Sequence, residues 1–374
     1  MNKRVIFVMA WMAIAAPAQA QWAPQSSQAA HTLMMATVMR QTASATVAVA
    51  VDGTIVYAEG LGQIAPAVPP TPATIYHIGS VSKQFTAAGI LALAEDRATV
   101  RFDQTVFNID DNVSLFFTNV DRWSMGPSAQ PMTVRRLLNM MSRLPTYTDP
   151  HLLPQNSSPS KDVLLRGIKQ FMPRDTSLTF EYSNTNYFLL ANIIEILTAS
   201  DTQLGDYRQY LSTRIFQRTG MTATGFVSGP PAPFPVAPLM YPGHAFDLGA
   251  WPMGAGEIQS NVLDLTQWDT SLFGGSVISP QSLQTMLAPV ALMPIEPQLP
   301  QQFYAMGWMV RQFSGGTEYA HGGNIFGYTA ENIVVRTATG HLISVVILTN
   351  ADSVQHLYET GRQLAQMAMS SVPQ

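Results

Sequence analysis

The chain has 374 residues, of which 47% are hydrophobic and 12% are charged, a balance that excludes a disordered chain and is typical of a globular protein with well-buried cores. The formal net charge is −4, and because no run of basic residues would suit a phosphate backbone, we expect no nucleic acid partner. The absence of cysteine excludes disulfides, a thiolate nucleophile and zinc–thiolate sites.

The N-terminal residues have the pattern of a secretory signal peptide. Lys3 and Arg4 give a positive start, residues 5–16 are apolar, and Ala18 and Ala20 supply the small residues of a cleavage site. The alternative is an uncleaved membrane anchor, but the apolar stretch is shorter than the roughly 20 residues that a spanning helix needs. We therefore predict a signal peptide over residues 1–20 and a secreted or periplasmic protein with no stable membrane anchor after cleavage.

The first predicted elements of the mature chain are a β-hairpin and a buried helix. Residues 45–51 are small or β-branched, and Asp52 and Gly53 give a strong turn signal before an extended pattern over residues 54–57. After a proline-rich loop, residues 83–95 form an unbroken stretch in which the run over residues 87–94 is apolar nearly all round. This pattern predicts a helix that is buried on most sides.

The middle of the chain is predicted to be helical, and extended segments return towards its end. Amphipathic patches over residues 134–141 and 187–197 alternate with loops that contain proline. Later in the chain come three extended segments and one helical pattern, over residues 304–313, 330–335, 341–348 and 357–369 respectively.

This distribution of elements predicts the domain organisation. Strands at both ends with helices between them favour an α/β fold with a helical insertion. We predict a discontinuous α/β domain over residues 21–90 and 250–374, and a mainly helical domain over residues 91–249. No internal repeat is found.

Ser80 and Lys83 form the first candidate catalytic pair. They lie three residues apart at the start of a predicted helix, which places both side chains on one face. A serine hydroxyl needs an adjacent base, and a lysine beside an apolar helix can have a pKa low enough to serve. Ser158 and Lys161 have the same spacing in a polar stretch, so context, not spacing, favours Ser80. The alternative is a helix-capping serine with a solvated lysine.

Two further motifs each allow two interpretations. Tyr182 could relay the serine proton to a leaving group, or it could be a core residue beside an ordinary N-cap formed by Ser183 or Asn184. His321, Gly322, Gly323 and Asn324 form either a two-glycine hairpin turn or a strand along which a substrate backbone can lie. If these residues form a strand, a backbone N–H near Asn324 and the backbone N–H of Ser80 together form an oxyanion hole.

Taken in order, Ser80-x-x-Lys83, Tyr182-x-Asn184 and His321-Gly322-Gly323 resemble the motifs of the serine β-lactamase and penicillin-binding protein superfamily. The resemblance is closer to its class C-like branch, which includes esterases, D-aminopeptidases and D,D-carboxypeptidases. It implies an α/β (α+β) fold in which an antiparallel sheet is flanked by helices, with an inserted mainly helical domain.

The resemblance also implies roles for these residues. Ser80 would be the nucleophile, Lys83 and Tyr182 would share general acid–base work, and Asn184 would contact the substrate amide. His321, Gly322, Gly323 and Asn324 would line an edge strand, with Asn324 donating the second oxyanion N–H. No metal or organic cofactor is expected, and the expected partner is a small-molecule or peptide substrate.

The sequence departs from the family pattern at two places. His321-Gly322-Gly323 stands where many relatives have lysine or histidine, then threonine or serine, then glycine, and a mostly neutral histidine should hold a carboxylate less firmly than lysine. Arg143 stands where the family usually has glycine. We expect an exported serine hydrolase that cleaves an ester, amide or β-lactam; the alternative is a penicillin-binding or peptidoglycan-sensing module with little or no turnover.

Overall fold

The computed structural model describes residues 22–96, 106–124, 130–149, 151–152, 159–199, 205–226, 250–294 and 301–372. The predicted signal peptide lies outside the described residues. Within the described ranges, no helix is long and apolar enough to cross a membrane.

An eight-stranded antiparallel sheet forms the centre of the molecule, with strand order β2-β1-β11-β10-β9-β8-β7-β6. Its strands are β1 (Ser44–Val51), β2 (Thr54–Gly62), β6 (Ala291–Leu292), β7 (Phe303–Ala305), β8 (Trp308–Phe313), β9 (Gly316–Ile325), β10 (Tyr328–Thr337) and β11 (Leu342–Thr349). The central strands β1 and β11 are buried on both faces. Their nearly continuous valine, isoleucine and alanine content is what a strand covered on both faces needs.

Helices cover both faces of this sheet. The α-helices within the described ranges are α1 (Pro24–Thr37), α2 (Ser82–Glu95), α3 (Val134–Leu138), α4 (Lys161–Ile168), α5 (Asn184–Thr198), α6 (Tyr207–Leu211), α7 (Gln217–Thr219), α8 (Val262–Phe273), α9 (Pro280–Leu287) and α10 (Leu357–Ser371). On the outer face, α1 and α10 pack on a core that includes Met34, Ile333 and Leu364. On the inner face, α2, α5 and α8 share a larger core with Phe85 and Trp268.

A small second sheet positions the start of α2. It has the strand order β3-β5-β4, formed by β3 (Tyr76–His77), β5 (Ile258–Ser260) and β4 (Gly225–Phe226). The Ile78 N–H donates to the Ile258 carbonyl at 3.1 Å, and the Ile258 N–H donates to Ser82 Oγ at 3.1 Å. These bonds hold the segment around Ser80 against the first residue of β5.

The predicted α/β fold with an antiparallel sheet flanked by helices is confirmed. The single extended segment predicted over residues 304–313 is wrong, because β7 and β8 are joined by a turn at Met306 and Gly307. Gly307 has φ +84°, and a Cβ there would lie 2.9 Å from the Lys83 carbonyl oxygen, so the turn needs glycine to pack on α2. The division at residues 90 and 250 stays a prediction.

Candidate active site

Ser80 lies in a 3₁₀ turn, Gly79–Val81, that leads directly into α2. No side chain caps either the turn or the helix, so the interpretation of Ser80 as a capping serine is wrong. Gly79 has φ +49°, and a Cβ there would lie 2.9 Å from the Asn324 backbone nitrogen. The turn therefore needs glycine to bring the Ser80 backbone against β9.

Lys83 is completely buried beside Ser80. Its Nζ lies 2.8 Å from Ser80 Oγ and donates a hydrogen bond to the Ala255 carbonyl at 2.8 Å. No carboxylate is paired with this amine among the described residues, and burial lowers the pKa of Lys83 well below its ordinary value. The interpretation of a solvated lysine is wrong, because the side chain is a desolvated amine in contact with a serine hydroxyl.

Tyr182 approaches the same hydroxyl from the segment that precedes α5. Its phenol is hydrogen-bonded to Ser80, and burial raises the pKa of the phenol above its usual range. The Lys83 Nζ lies 5.0 Å from the centre of the Tyr182 ring. The structure thus brings together the three residues that the sequence singled out as catalytic.

The strand β9 runs straight through His321, Gly322, Gly323 and Asn324, so the alternative of a hairpin turn at these glycines is wrong. The turn comes later, between Ile325 and Tyr328. The pairing of β8 with β9 extends only from Gly316 to Ala320. The part of β9 nearest Ser80 therefore has an edge that β8 does not occupy.

Gly323 brings this edge against the serine. A Cβ on Gly323 would lie 2.0 Å from the Ile78 carbonyl oxygen and 3.1 Å from the Ser80 backbone nitrogen, so only glycine fits. The backbone of Ser80 and that of Asn324 are thereby adjacent, as an oxyanion hole requires. The Asn324 side chain points elsewhere and donates to Ser353 Oγ at 2.7 Å.

Asn184 is the first residue of α5 and is hydrogen-bonded to the loop that follows α3. Its Nδ2 donates to Thr148 Oγ1 at 3.0 Å, and its Oδ1 is buried without a hydrogen-bond partner among the described residues. Asn184 does not belong to the described residues that line the cleft at Ser80. Ser183 precedes the helix but its side chain makes no capping bond.

His321 is buried and neutral. Its Nδ1 donates to the Gly322 carbonyl at 2.7 Å, and its Nε2 lies 3.4 Å from the Tyr304 hydroxyl. Burial, and to a smaller extent the neighbouring Lys83 amine, lowers the pKa of His321 to about 3. The imidazole therefore offers no positive charge to an anionic substrate near neutral pH.

This burial predicts a pH dependence of stability. The folded-state pKa of about 3 lies below the ordinary 6.5, so below pH 6.5 the unfolded chain binds a proton that the folded protein does not bind. The contribution of His321 to the free energy of unfolding is therefore complete above pH 6.5 and is lost as the pH falls below it. Between pH 7 and pH 5, His321 should cost the wild type about 2 kcal/mol of unfolding free energy. Urea unfolding should show a smaller loss in His321→Gln. The exposed-histidine control His151→Gln should behave like the wild type, and equal losses in all three would contradict the assignment.

Arg143, which departs from the family pattern, lies in a backbone conformation that favours glycine. Arg143 adopts φ +61°, a left-handed conformation that favours glycine. Its guanidinium compensates by pairing with Asp175 at 2.7 Å and with Glu181 at 2.8 Å. Because Glu181 directly precedes Tyr182, Arg143 links this loop to the segment that carries Tyr182.

Sequence reasoning missed a backbone carbonyl and two tyrosine side chains that surround the site. The Ala255 carbonyl that anchors Lys83 leaves no side-chain signal, and Tyr187 and Tyr304 read as ordinary core residues. Tyr187 is buried with its ring centre 5.8 Å from Lys83 Nζ. A cleft of about 390 Å³ joins Ser80, Tyr182 and the β9 edge to residues 354–359.

The architecture and the serine–lysine–tyrosine cluster define a family. The model of the family described as Beta-lactamase matches residues 23–367, and the chain belongs to this family. The predicted membership of the serine β-lactamase and penicillin-binding protein superfamily is confirmed.

Two curated proteins are similar in sequence to part of this chain. The chain is 26% identical to penicillin-binding protein 4* of Bacillus subtilis over 76% of its length and 63% of that protein. It is 27% identical to putative beta-lactamase-like 1 of Homo sapiens over 60% of its length and 45% of that protein. The chain thus spans less than two thirds of either curated relative.

Solved structures are similar over nearly their whole length. A D-stereospecific amidohydrolase from Streptomyces sp. aligns with a TM-score of 0.70 and 25% identity, over 90% of this chain and 97% of that one. The D-amino acid amidase of Ochrobactrum anthropi SV3, complexed with L-phenylalanine amide, aligns with a TM-score of 0.71 and 21% identity, over 93% of this chain and 99% of that one. The second likeness establishes the fold alone.

Proposed function

We propose that this protein is an exported serine hydrolase that works through an acyl-enzyme on Ser80. The observation that carries the proposal is the fully buried Lys83 amine, 2.8 Å from Ser80 Oγ. A desolvated amine is largely uncharged, so its lone pair can accept the serine proton. Export is supported by the signal-peptide pattern of residues 1–20.

The reaction has two halves. Lys83 takes the Ser80 proton while Oγ attacks the substrate carbonyl carbon, and the N–H groups of Ser80 and Asn324 stabilise the oxyanion. The C–O or C–N bond to the leaving group then breaks as Tyr182 passes a proton to that group. Water attacks the ester in the second half, with proton transfers in reverse. One oxyanion donor is typically worth about 100- to 1,000-fold in rate.

Esters and amides are the proposed substrates in preference to β-lactams. A β-lactam or a cell-wall peptide presents a carboxylate, and the neutral His321 and the two glycines after it supply no fixed charge to hold one. The likeness to a D-stereospecific amidohydrolase supports an amide or ester acyl donor.

A second candidate function is a penicillin-binding or peptidoglycan-sensing module that acylates without turning over. The likeness to penicillin-binding protein 4* favours this alternative. Pre-steady-state kinetics separate the two: a hydrolase gives a burst followed by steady turnover, whereas a sensor gives a stoichiometric burst alone.

A substrate panel tests the proposed function. Purified mature protein is assayed with p-nitrophenyl acetate, D-alanine p-nitroanilide and nitrocefin, with Ser80→Ala as the control. We expect turnover of the ester or the anilide with a kcat/KM at least about 10-fold above that for nitrocefin, the factor that about 1.4 kcal/mol of differential binding supplies. Preferred turnover of nitrocefin would contradict the substrate proposal.

A further inference from the structure

Glu257 is a buried acid two residues after Ala255, whose carbonyl holds Lys83, and it has no part in the proposed proton transfers. Only 1% of its surface is exposed. Its Oε1 accepts a hydrogen bond from the Gly254 N–H at 3.0 Å, and its Oε2 accepts one from Arg208 Nε at 2.8 Å. Because a buried ion pair is often no more stabilising than apolar residues of similar volume, stability alone does not explain an acid at this position.

The turn that contains Gly254 and Ala255 presents its carbonyl groups to α2. The Ala255 carbonyl accepts a hydrogen bond from Lys83 Nζ at 2.8 Å. The Gly254 carbonyl accepts one from Thr86 Oγ1 at 2.7 Å. Lys83 and Thr86 are three residues apart and therefore lie on one face of the helix. Two side chains of α2 thus bind two successive carbonyl groups of the turn.

Glu257 fixes the same turn through a backbone N–H. The neighbours of Gly254 donate their N–H groups to carbonyls within the turn, whereas Gly254 donates to Glu257. Gly254 is therefore held at its N–H by Glu257 and at its carbonyl by Thr86. It has φ +71°, and a Cβ there would lie 2.3 Å from the Tyr187 carbonyl oxygen, so the turn also packs closely on α5. These contacts restrict the movement of the next carbonyl, that of Ala255.

The position of the Ala255 carbonyl affects where the lone pair of the Lys83 amine points. A neutral amine has two N–H bonds and one lone pair, and donation of one N–H to Ala255 limits its rotation. Ser80 Oγ lies 2.8 Å from the same Nζ, within reach of the lone pair. A displacement of about 1 Å at a catalytic group can lower a rate by about 100-fold. The support of this carbonyl therefore bears on the rate at which Ser80 reacts.

We propose that Glu257 is a positioning residue for Lys83. Its hydrogen bond to Gly254 fixes the neighbouring Ala255 carbonyl, and that carbonyl orients the amine towards Ser80 Oγ. The inference rests on the proposed function, because it concerns the base that activates Ser80. Glu257 acts through the turn and takes no proton from the serine.

Two substitutions of similar length separate the hydrogen bond from the charge. Glu257→Met removes both acceptor oxygens, whereas Glu257→Gln keeps one that can accept from the Gly254 N–H. Arg208 is half-exposed, so its guanidinium can turn to water in both variants. We expect the rate constant for labelling by a fluorophosphonate to fall about 10- to 100-fold in Glu257→Met and at most about 3-fold in Glu257→Gln. A wild-type rate in Glu257→Met, or an equal loss in both variants, would overturn the proposal.

A double-mutant cycle shows whether Glu257 acts through Lys83. In the Lys83→Met background no amine remains to be positioned, so the further change Glu257→Met should leave the slow residual labelling unchanged. A merely structural role would lower the rate by the same factor in both backgrounds, and that result would overturn the proposal. Ser80→Ala tests the proposed function separately, since labelling of that variant at the wild-type rate would contradict the nucleophile itself.

Thr86→Val is a second variant that does not depend on the stability of Glu257→Met. Valine has nearly the shape of threonine but cannot donate to the Gly254 carbonyl. We expect labelling to slow by about 10-fold in this variant and to stay unchanged when the substitution is added to Lys83→Met. An unchanged rate in Thr86→Val alone would show that the position of residue 254 does not affect Lys83, and it would overturn the proposal. Urea unfolding checks that each variant is folded.

Glu195→Met controls for the loss of a negative charge near Glu257. Glu195 lies on α5 and is paired with Lys161, and its charge is near enough to contribute to the raised pKa of Glu257. It accepts no hydrogen bond from the turn among the described residues. Glu195→Met should be labelled at the wild-type rate. An equal slowing in Glu195→Met and Glu257→Met would show a general effect of charge and overturn the proposal.

Discussion

Replacing Ser80 with alanine is expected to lower kcat for a p-nitrophenyl ester by on the order of 10,000-fold or more, because no acyl-enzyme can form without the hydroxyl. Residual hydrolysis would come from the oxyanion N–H groups and binding alone. The fold should be retained, since the side chain is only half-buried at the cleft and caps no helix. Steady-state assays and far-UV circular dichroism check both points.

Ser158→Ala is the matched control for this prediction. Ser158 precedes Lys161 by the same three residues, but Lys161 is half-exposed and paired with Glu195. Lys161 is therefore not a desolvated amine in contact with a serine hydroxyl, which is the arrangement that activates a serine. Ser158→Ala should therefore retain wild-type kcat, and an equal loss in both variants would contradict the assignment of Ser80.

Replacing Lys83 with methionine is expected to lower kcat/KM by about 100- to 10,000-fold, the usual range for loss of a general base. Only the neutral amine accepts a proton, so wild-type activity should rise with pH as Lys83 loses its proton, and this rise should disappear in Lys83→Met. Methionine fills the buried space with an apolar chain, so urea unfolding should show no large loss of stability. The pH–rate profile is the decisive measurement.

Lys161→Met serves as the control for the lysine. It removes an amine of the same length from the exposed pair with Glu195, and it should leave both the rate and the pH–rate profile unchanged. Wild-type kcat/KM in Lys83→Met would contradict the role of Lys83, even if Ser80 proved essential.

The sequence predicted the parts of the site that depend on side-chain type and local periodicity. The apolar run after Lys83 correctly indicated a buried helix, and its position before that helix favoured burial of Lys83 over a solvated side chain. The strands β1, β10 and β11 followed from dense β-branched residues, which suit strands covered on both faces. The order of the three motifs then identified the family.

Other features depended on contacts between distant segments. The Ala255 carbonyl reaches Lys83 from 172 residues away, and carbonyl groups leave no mark in a sequence. Whether His321, Gly322 and Gly323 formed a turn or a strand could not be decided locally, because glycine pairs serve both; the packing of Gly323 on Ile78 decides it. The Met306–Gly307 turn interrupts a segment whose alternation alone favours one strand.

Arg143 illustrates the same limit. It occupies a backbone conformation suited to glycine, and its compensating partners Asp175 and Glu181 lie more than 30 residues away in the sequence.

Covalent labelling is the most direct measurement of the central claim that Ser80 is an activated nucleophile. The mature protein is treated with a fluorophosphonate, and intact-mass spectrometry followed by peptide mapping locates the adduct. We predict one phosphonate per chain, on the peptide that contains Ser80, with no labelling of Ser80→Ala and much slower labelling of Lys83→Met. Equal labelling of the wild type and Ser80→Ala, or an adduct on another serine, would contradict the claim.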